Sequence, residues 1–417
     1  MEYRNLTPFP SLAFEGADQY EQEFHVAVLR MTMDICTDNS LSFTEQQTPL
    51  CFADEYYGEM NKSSVKQESD LAPYKPACDI MVIGSAHAPG GKPVPRFEAG
   101  IRISGSVTLD KKLTITGPRF WEKSATGWIS TAPEPIASLL LQYEYAYGGE
   151  CRINQNDPAA TRVEEKHQLT NEQRDEHPDG PEQAPIAHTV YEKNPVGKGF
   201  TEQWYLDATK PATVQAVDSV GMLEEASGLL GITQPPEAVL QVYKIPAPQI
   251  ESPDDPILEF GKQYTPQGFG VITKAWLPRR ELFGTIDKKF IDSEAWLPED
   301  YDYAYWNGAH PDMQIPFPKG NETIELLNIG GDRLKFNLPG HKLFALVRME
   351  DGRMFPVDYK LDTLTINTDE KKLSLVYRLT LPKDSGIRVL EARMMDKKEA
   401  EELDSLINAI KAEANHG

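Results

Sequence analysis

Hydrophobic and polar positions alternate at period two over several stretches of this chain, as strands with one buried face require. Phe97, Ala99, Ile101, Ile103, Val107 and Leu109 alternate, with Gly105 as a bend. Asp110-Lys111-Lys112 is expected to turn the chain before Leu113 and Ile115 resume the alternation as a hairpin. Ile324 and Leu326 alternate, Gly330-Gly331-Asp332 turns, and Leu334, Phe336 and Leu338 alternate back. Asp351-Gly352 is a hairpin dipeptide between FALVRM and MFPVDY. Leu364 and Ile366 lead to the turn TDEKK, followed by Leu373, Leu375, Tyr377, Leu379 and Leu381. Residues 24–35 are apolar at both parities in places, the pattern of a strand covered on both faces.

Successive hairpins imply a mainly β protein with antiparallel, sandwich-like sheets, expected as two packed β units. The predicted organisation is an N-terminal β domain over 1–150, a polar insertion over 151–190, a second β-rich region over 191–382 and a helical tail over 383–417. The insertion, INQNDPAATRVEEKHQLTNEQRDEHPDGPEQAP, has the polar composition of a mobile segment. VDSVGMLEEASGLLGI, within a second soft region, 206–255, has the pattern of one short helix. In the tail, Asp396 with Glu399 matches a capping box, and Leu403, Leu406, Ile407 and Ile410 share one helical face.

Between strands, the stretch ADEYYGEMNKSSVKQESDLAPYKPACDIMVIGSAHAPGG combines aromatics, paired charges, prolines and glycines. Cys78–Ile83 is expected as a short apolar strand, Gly84 as a bulge or close backbone approach, and Ala88-Pro89-Gly90-Gly91 as a tight turn.

Charge narrows the function classes. Against 42 Lys and Arg stand 64 Asp and Glu, a net charge of -22. Such a surface repels polyanions and anionic membranes, so neither nucleic acid nor membrane is an expected partner. No apolar run reaches the roughly 18–20 residues of a membrane-spanning helix. MEYRNLTPFP lacks the pattern of a secretory signal, and a cytoplasmic protein is expected. Cys36, Cys51, Cys78 and Cys151 are scattered without a CxxC pair, which predicts free thiols and no zinc site.

Catalytic constellations are weak. Cys78 and His87 flank one short strand without an orienting third group, and His310 lies in GAHPDMQ with no G-x-S-x-G elbow. His167, His177 and His188 recur in the polar insertion, and no cofactor or metal is expected. NPVGKGF lacks the spacing of a phosphate loop and is expected as a turn with a lysine. A carbohydrate-active hydrolase would use a carboxylate pair, Glu144 with Asp300 or Asp302, near aromatic runs. The same aromatics suit a protein interface, the preferred reading.

Several motifs occur in order: NLTPF (5–9), EQQTPLCFADEYYGE (45–59), SSVKQESDLAPYKPACDIMVIGSAHAPGGKP (63–93), LTITGPRFW (113–121), LLLQYEYAYGG (139–149) and EKNPVGKGF (192–200). YTPQGFGVITKAWLPRRELFGTIDKKF (264–290), WLPEDYDYAYWNGAHPDMQ (296–314) and LDTLTINTDEKKLSLVYR (361–378) follow. Over residues 4–382 the chain resembles the bacterial domain family encoded beside VgrG and PAAR genes of type VI secretion systems. The resemblance implies a non-enzymatic cytoplasmic adaptor or chaperone. Its expected partners are a secreted effector with a PAAR domain and the VgrG spike on which that effector is loaded. It carries over no catalytic residue and leaves the 151–190 insertion and the helix after 383 outside the family core. The residues expected to touch a partner are Tyr56, Tyr57, Tyr74, Trp276, Arg279 and Trp306, with the helix face of Leu403 and Ile410.

Overall fold

A computed structural model of the chain describes residues 1–124, 126–210 and 244–396, with 398, 399 and 402. The described chain is mainly β, in several mostly antiparallel sheets with no closed barrel. The largest sheet has seven strands, ordered Ser11–Ala17, Glu23–Ile35, Lys372–Pro382, Lys360–Asn367, Cys78–Ile83 and Gln314–Ile315, with Leu41–Phe43 paired beside Glu23–Ile35. Its one parallel pairing sets Lys360–Asn367 against Cys78–Ile83. Cys78–Ile83, expected as a short apolar strand, is buried along its whole length, Asp79 included. Gly84 follows it with φ 143, and a Cβ there would run into Thr368 Oγ1, so the close approach expected from the sequence is present.

A five-stranded sheet runs Ile250–Glu251, Leu109–Thr116, Arg96–Ser104, Thr323–Leu327 and Arg333–Asn337. A four-stranded sheet runs Glu2–Asn5, Ile387–Met395, Lys342–Met349 and Met354–Asp358. Strands from 1–150 and 191–382 therefore share sheets: Arg96–Ser104 pairs with Thr323–Leu327, and Cys78–Ile83 with Lys360–Asn367. One continuous apolar core joins residues from both stretches, among them Leu29, Ile80, Ile101, Phe269, Ile324 and Leu375.

Three local expectations are corrected. Asp110, Lys111 and Lys112 do not turn the chain: they lie inside the strand Leu109–Thr116, and the preceding strand ends at Ser104. Charge made them look like a turn, but Lys111 occupies an inward position in register with Leu109 and Leu113. The 151–190 segment is folded. Glu150–Ile153 pairs with Ala187–Val190, and Cys151, Ile153, Val163 and Ala187 pack with Trp204 and Ala208 in a small core. Within it, Thr170 and Gln173 form a reciprocal capping box for the helix Asn171–Asp175. The tail opens with a single 3-10 turn, Lys383–Ser385, and then a strand in place of a longer helix: Ile387–Met395 lies between Glu2–Asn5 and Lys342–Met349. The Asp396 and Glu399 capping box is made, with backbone N–H to carboxylate distances of 2.8 and 3.0 Å. Leu403, Leu406, Ile407 and Ile410 lie outside the described residues, as does the short helix expected within 206–255.

Candidate functional site

The loop before Cys78–Ile83 meets the segment 272–310, and buried charge fixes the contact. Arg279 opens the short 3-10 helix Arg279–Phe283 and is 3% exposed. It donates to both oxygens of Glu68, at 2.7 and 2.9 Å, to the Ile272 carbonyl at 2.6 Å and to the Tyr305 carbonyl at 2.7 Å. Burial opposes the guanidinium charge, but Glu68, with Asp79 and Tyr305, outweighs it and holds the group above its ordinary value. Lys274 adds a second tie, 3.2 Å from Asp54 and 3.6 Å from Glu68. Asp79, fully buried, accepts from Lys75 at 2.7 Å, from the Asn307 side chain and Ala309 N–H at 3.1 Å each, and from Gly308 N–H at 3.0 Å. A buried carboxylate with this many donors fixes one backbone arrangement for 307–309.

Rings line this joint. Tyr74 meets Tyr303 edge-on at 5.6 Å, and the ladder continues through Tyr301, Phe283 and Tyr305 to Trp306. Lys274 stands 5.4 Å over Trp306, and Arg279 lies 5.7 Å over Tyr305. Edge-to-face contacts and cations over rings add directional packing to apolar burial.

The residues expected to touch a partner divide by burial. Tyr74 is exposed, and Tyr56, Tyr57 and Trp306 are half-buried. Tyr74, Arg279 and Trp306 belong to the one ladder. Tyr56 lies on the hairpin of Glu55–Tyr56 with Val65–Gln67, its phenol pushed up by burial and by Asp54. Burial, with Glu144 and Asp369, pushes Tyr57 up to about 12. Trp276 and Arg279 are corrected as contact residues. Trp276 is buried edge-on against Tyr143 at 5.8 Å, and Arg279 spends its donors inside the protein, so both position other groups. Leu403 and Ile410 lie outside the described residues.

A second polar feature lies inside the strand Leu109–Thr116. Lys111 points from its strand to His310, its ammonium donating to Nδ1 at 2.8 Å and standing 3.4 Å from Asp312. Burial pushes the lysine down to about 8 against the pull of Asp312. Burial and the neighbouring Lys111 push His310 down to about 4. The neutral ring is fixed on both sides, since Asp312 N–H also donates to Nδ1 and the other edge reaches the Pro266 backbone. His310, Asp312, Tyr143, Lys193 and Gln267 line a cleft of about 410 Å³. The expected phosphate-loop look-alike is structural: Asn194 donates to the Tyr143 and Tyr147 carbonyls at 2.9 and 3.0 Å.

The carboxylates named for a hydrolase are each engaged locally. Glu144 accepts from Ser64 N–H and its hydroxyl, Asp300 from Thr285, and Asp302 from Ala304 N–H. Cys78 is fully buried, and burial raises its thiol well above the ordinary range, which leaves little thiolate for attack. His177 Nε2 lies 3.1 Å from His188 Nδ1, whose other nitrogen is 2.8 Å from Glu150. Among the described residues no group of three or more His, Cys, Asp or Glu side chains is arranged to hold a metal ion. Among them, too, no helix is long and apolar enough to cross a membrane.

Residues 20–216 and 229–378 match a family described as "Uncharacterized protein conserved in bacteria (DUF2169)". The match runs through 151–190, so that segment is part of the family's extent and not an addition to it. No curated protein and no solved structure matches the chain.

Proposed function

We propose that the chain, which belongs to the DUF2169 family of bacterial proteins, is a non-enzymatic adaptor or chaperone of a type VI secretion system. It binds a secreted effector in the cytoplasm, one bearing a PAAR domain, and aids its loading on the VgrG spike. The type VI assignment rests on the ordered motifs. The observation that carries a binding role is their convergence. Segments 45–59, 63–93, 264–290 and 296–314 meet at the Asp54–Lys274, Glu68–Arg279 and Tyr74–Tyr303 contacts. A joint this heavily cross-linked is a rigid platform, and rigid aromatic surfaces bind at low entropic cost. Tyr74, Tyr56 and Trp306 are its accessible rings. The net charge of -22 supplies long-range attraction for a basic partner.

Secretion tests this reading. Deleting the gene should abolish export of one PAAR-bearing effector while other type VI cargo still leaves the cell. Wild-type protein should restore export, and a Tyr74→Ala/Trp306→Ala variant should restore it poorly. Unchanged export of every effector in the deletion strain contradicts the reading.

A further inference from the structure

Residues 284–300 form a surface loop whose ends are clasped together. Asp300 accepts from Thr285 N–H at 2.9 Å and from its hydroxyl at 2.7 Å. Gly284 has φ 93, and a Cβ there would come within 2.6 Å of Asp300 Oδ1, so the clasp needs glycine. Asp302 N–H donates to the Leu282 carbonyl at 2.9 Å behind the clasp, and Lys289 pairs with Glu299 at 3.0 Å across it. Within the loop, Asp287 caps the helix Lys288–Ser293 by accepting from Phe290 N–H at 2.8 Å. The stalk is anchored by Phe283 packed on Tyr301 and Tyr305. Compact loops with closed ends hold their shape at the surface and are frequently functional.

The loop presents apolar groups to water. Ile286 is 64% exposed, Ile291 65% and Trp296 77%, the last being the most exposed large hydrophobic side chain among the described residues. Nothing in the loop's own fold requires an indole at that position. Within 284–300 the chain carries five carboxylates, Asp287, Asp292, Glu294, Glu299 and Asp300, against two ammonium groups, Lys288 and Lys289. Asp287 and Asp300 serve the cap and the clasp, and Glu299 pairs with Lys289. Asp292 and Glu294, four and two positions before Trp296, are exposed.

We propose that this clasped loop is a docking knob for a basic, apolar segment of a partner protein. Trp296 enters an apolar pocket, and Lys or Arg side chains flanking that pocket meet Asp292 and Glu294. Charge decides against a second copy of this chain, because a two-fold contact would set the same carboxylates against one another. The proposal deepens the adaptor reading and rests on it only for the partner's identity.

The test uses the full chain and labelled amphipathic peptides, one of Leu and Lys and its Leu and Glu counterpart, read by fluorescence anisotropy over a range of salt. The Leu/Lys peptide should bind saturably, and the Leu/Glu peptide should not bind. Trp296→Ala should weaken binding about tenfold or more, as loss of an aromatic anchor does. Asp292→Asn/Glu294→Gln should flatten the salt dependence. Equal binding by Trp296→Ala and wild type would overturn the knob in favour of diffuse attraction to an acidic chain. A dimer that Trp296→Ala dissociates in sedimentation would overturn it in favour of a second copy. Undiminished co-purification of an effector with Trp296→Ala would overturn the knob and leave the adaptor reading intact. Peptide binding that depends on Trp296, with no effector on either protein, would support the knob and sink the adaptor reading.

Discussion

Glu68 and Arg279, separated by 211 positions, form a two-pronged ion pair with both side chains almost wholly withdrawn from water. The pair joins the loop before Cys78–Ile83 to the segment carrying the aromatic ladder. Removing one member strands a buried charge, at a cost of about 3–5 kcal/mol. Glu68→Gln and Arg279→Met should each lower the urea midpoint strongly. The double variant should lose less than the sum, because no lone charge remains. Additive losses in this double-mutant cycle would refute a coupled pair.

Lys111 is held at about 8, below the ordinary lysine value of 10.5. Between those values the unfolded chain binds more protons than the folded one, so stability rises with pH across that window. Below about 8 the cost of burying the ammonium is fully present. Lys111→Met should therefore be more stable than wild type at neutral pH, by on the order of 3 kcal/mol at most, and the gap should close toward pH 10.5. Urea titrations at several pH values check this. Parallel curves for the two proteins would contradict it.

Gly84→Ala puts a side chain at φ 143 against Thr368, just past the ends of the paired strands Cys78–Ile83 and Lys360–Asn367. The backbone strain alone is worth about 1–3 kcal/mol. The variant should unfold at correspondingly lower urea. An unchanged midpoint would mean that this turn relaxes freely.

The four cysteines are free thiols, with Cys51, Cys78 and Cys151 buried and Cys36 half-buried. Burial raises the thiols of Cys51 and Cys151 to about 11. In the native protein an aromatic disulfide reagent should modify Cys36 first and the other three only on denaturation. Rapid native labelling of Cys78 would contradict the packing of its strand.

Period-two alternation located strands whose one buried face is apolar, as at Phe97, Ile101 and Ile103 in Arg96–Ser104 of the five-stranded sheet. The same rule failed at Lys111, where an inward position carries an ammonium balanced by His310, a partner 199 positions away. It failed again at 151–190, whose small core draws on Trp204 and Ala208 beyond the segment's end. Aromatic runs led to the segments that meet in the ring ladder. Only the structure separates Arg279 and Trp276, which support the surface, from Tyr74 and Trp306, which line it. Trp296 carried no periodic pattern to set it apart from the neighbouring rings, which pack on one another.

The central claim is that this protein holds a type VI effector. Its most direct test is affinity purification of the tagged protein from its native cells at low salt, with mass spectrometry of what co-purifies. Low salt preserves contacts steered by charge. The account predicts a stoichiometric PAAR-bearing effector, or VgrG, that is lost at high salt. A clean preparation without either, from cells whose secretion system is active, would contradict it.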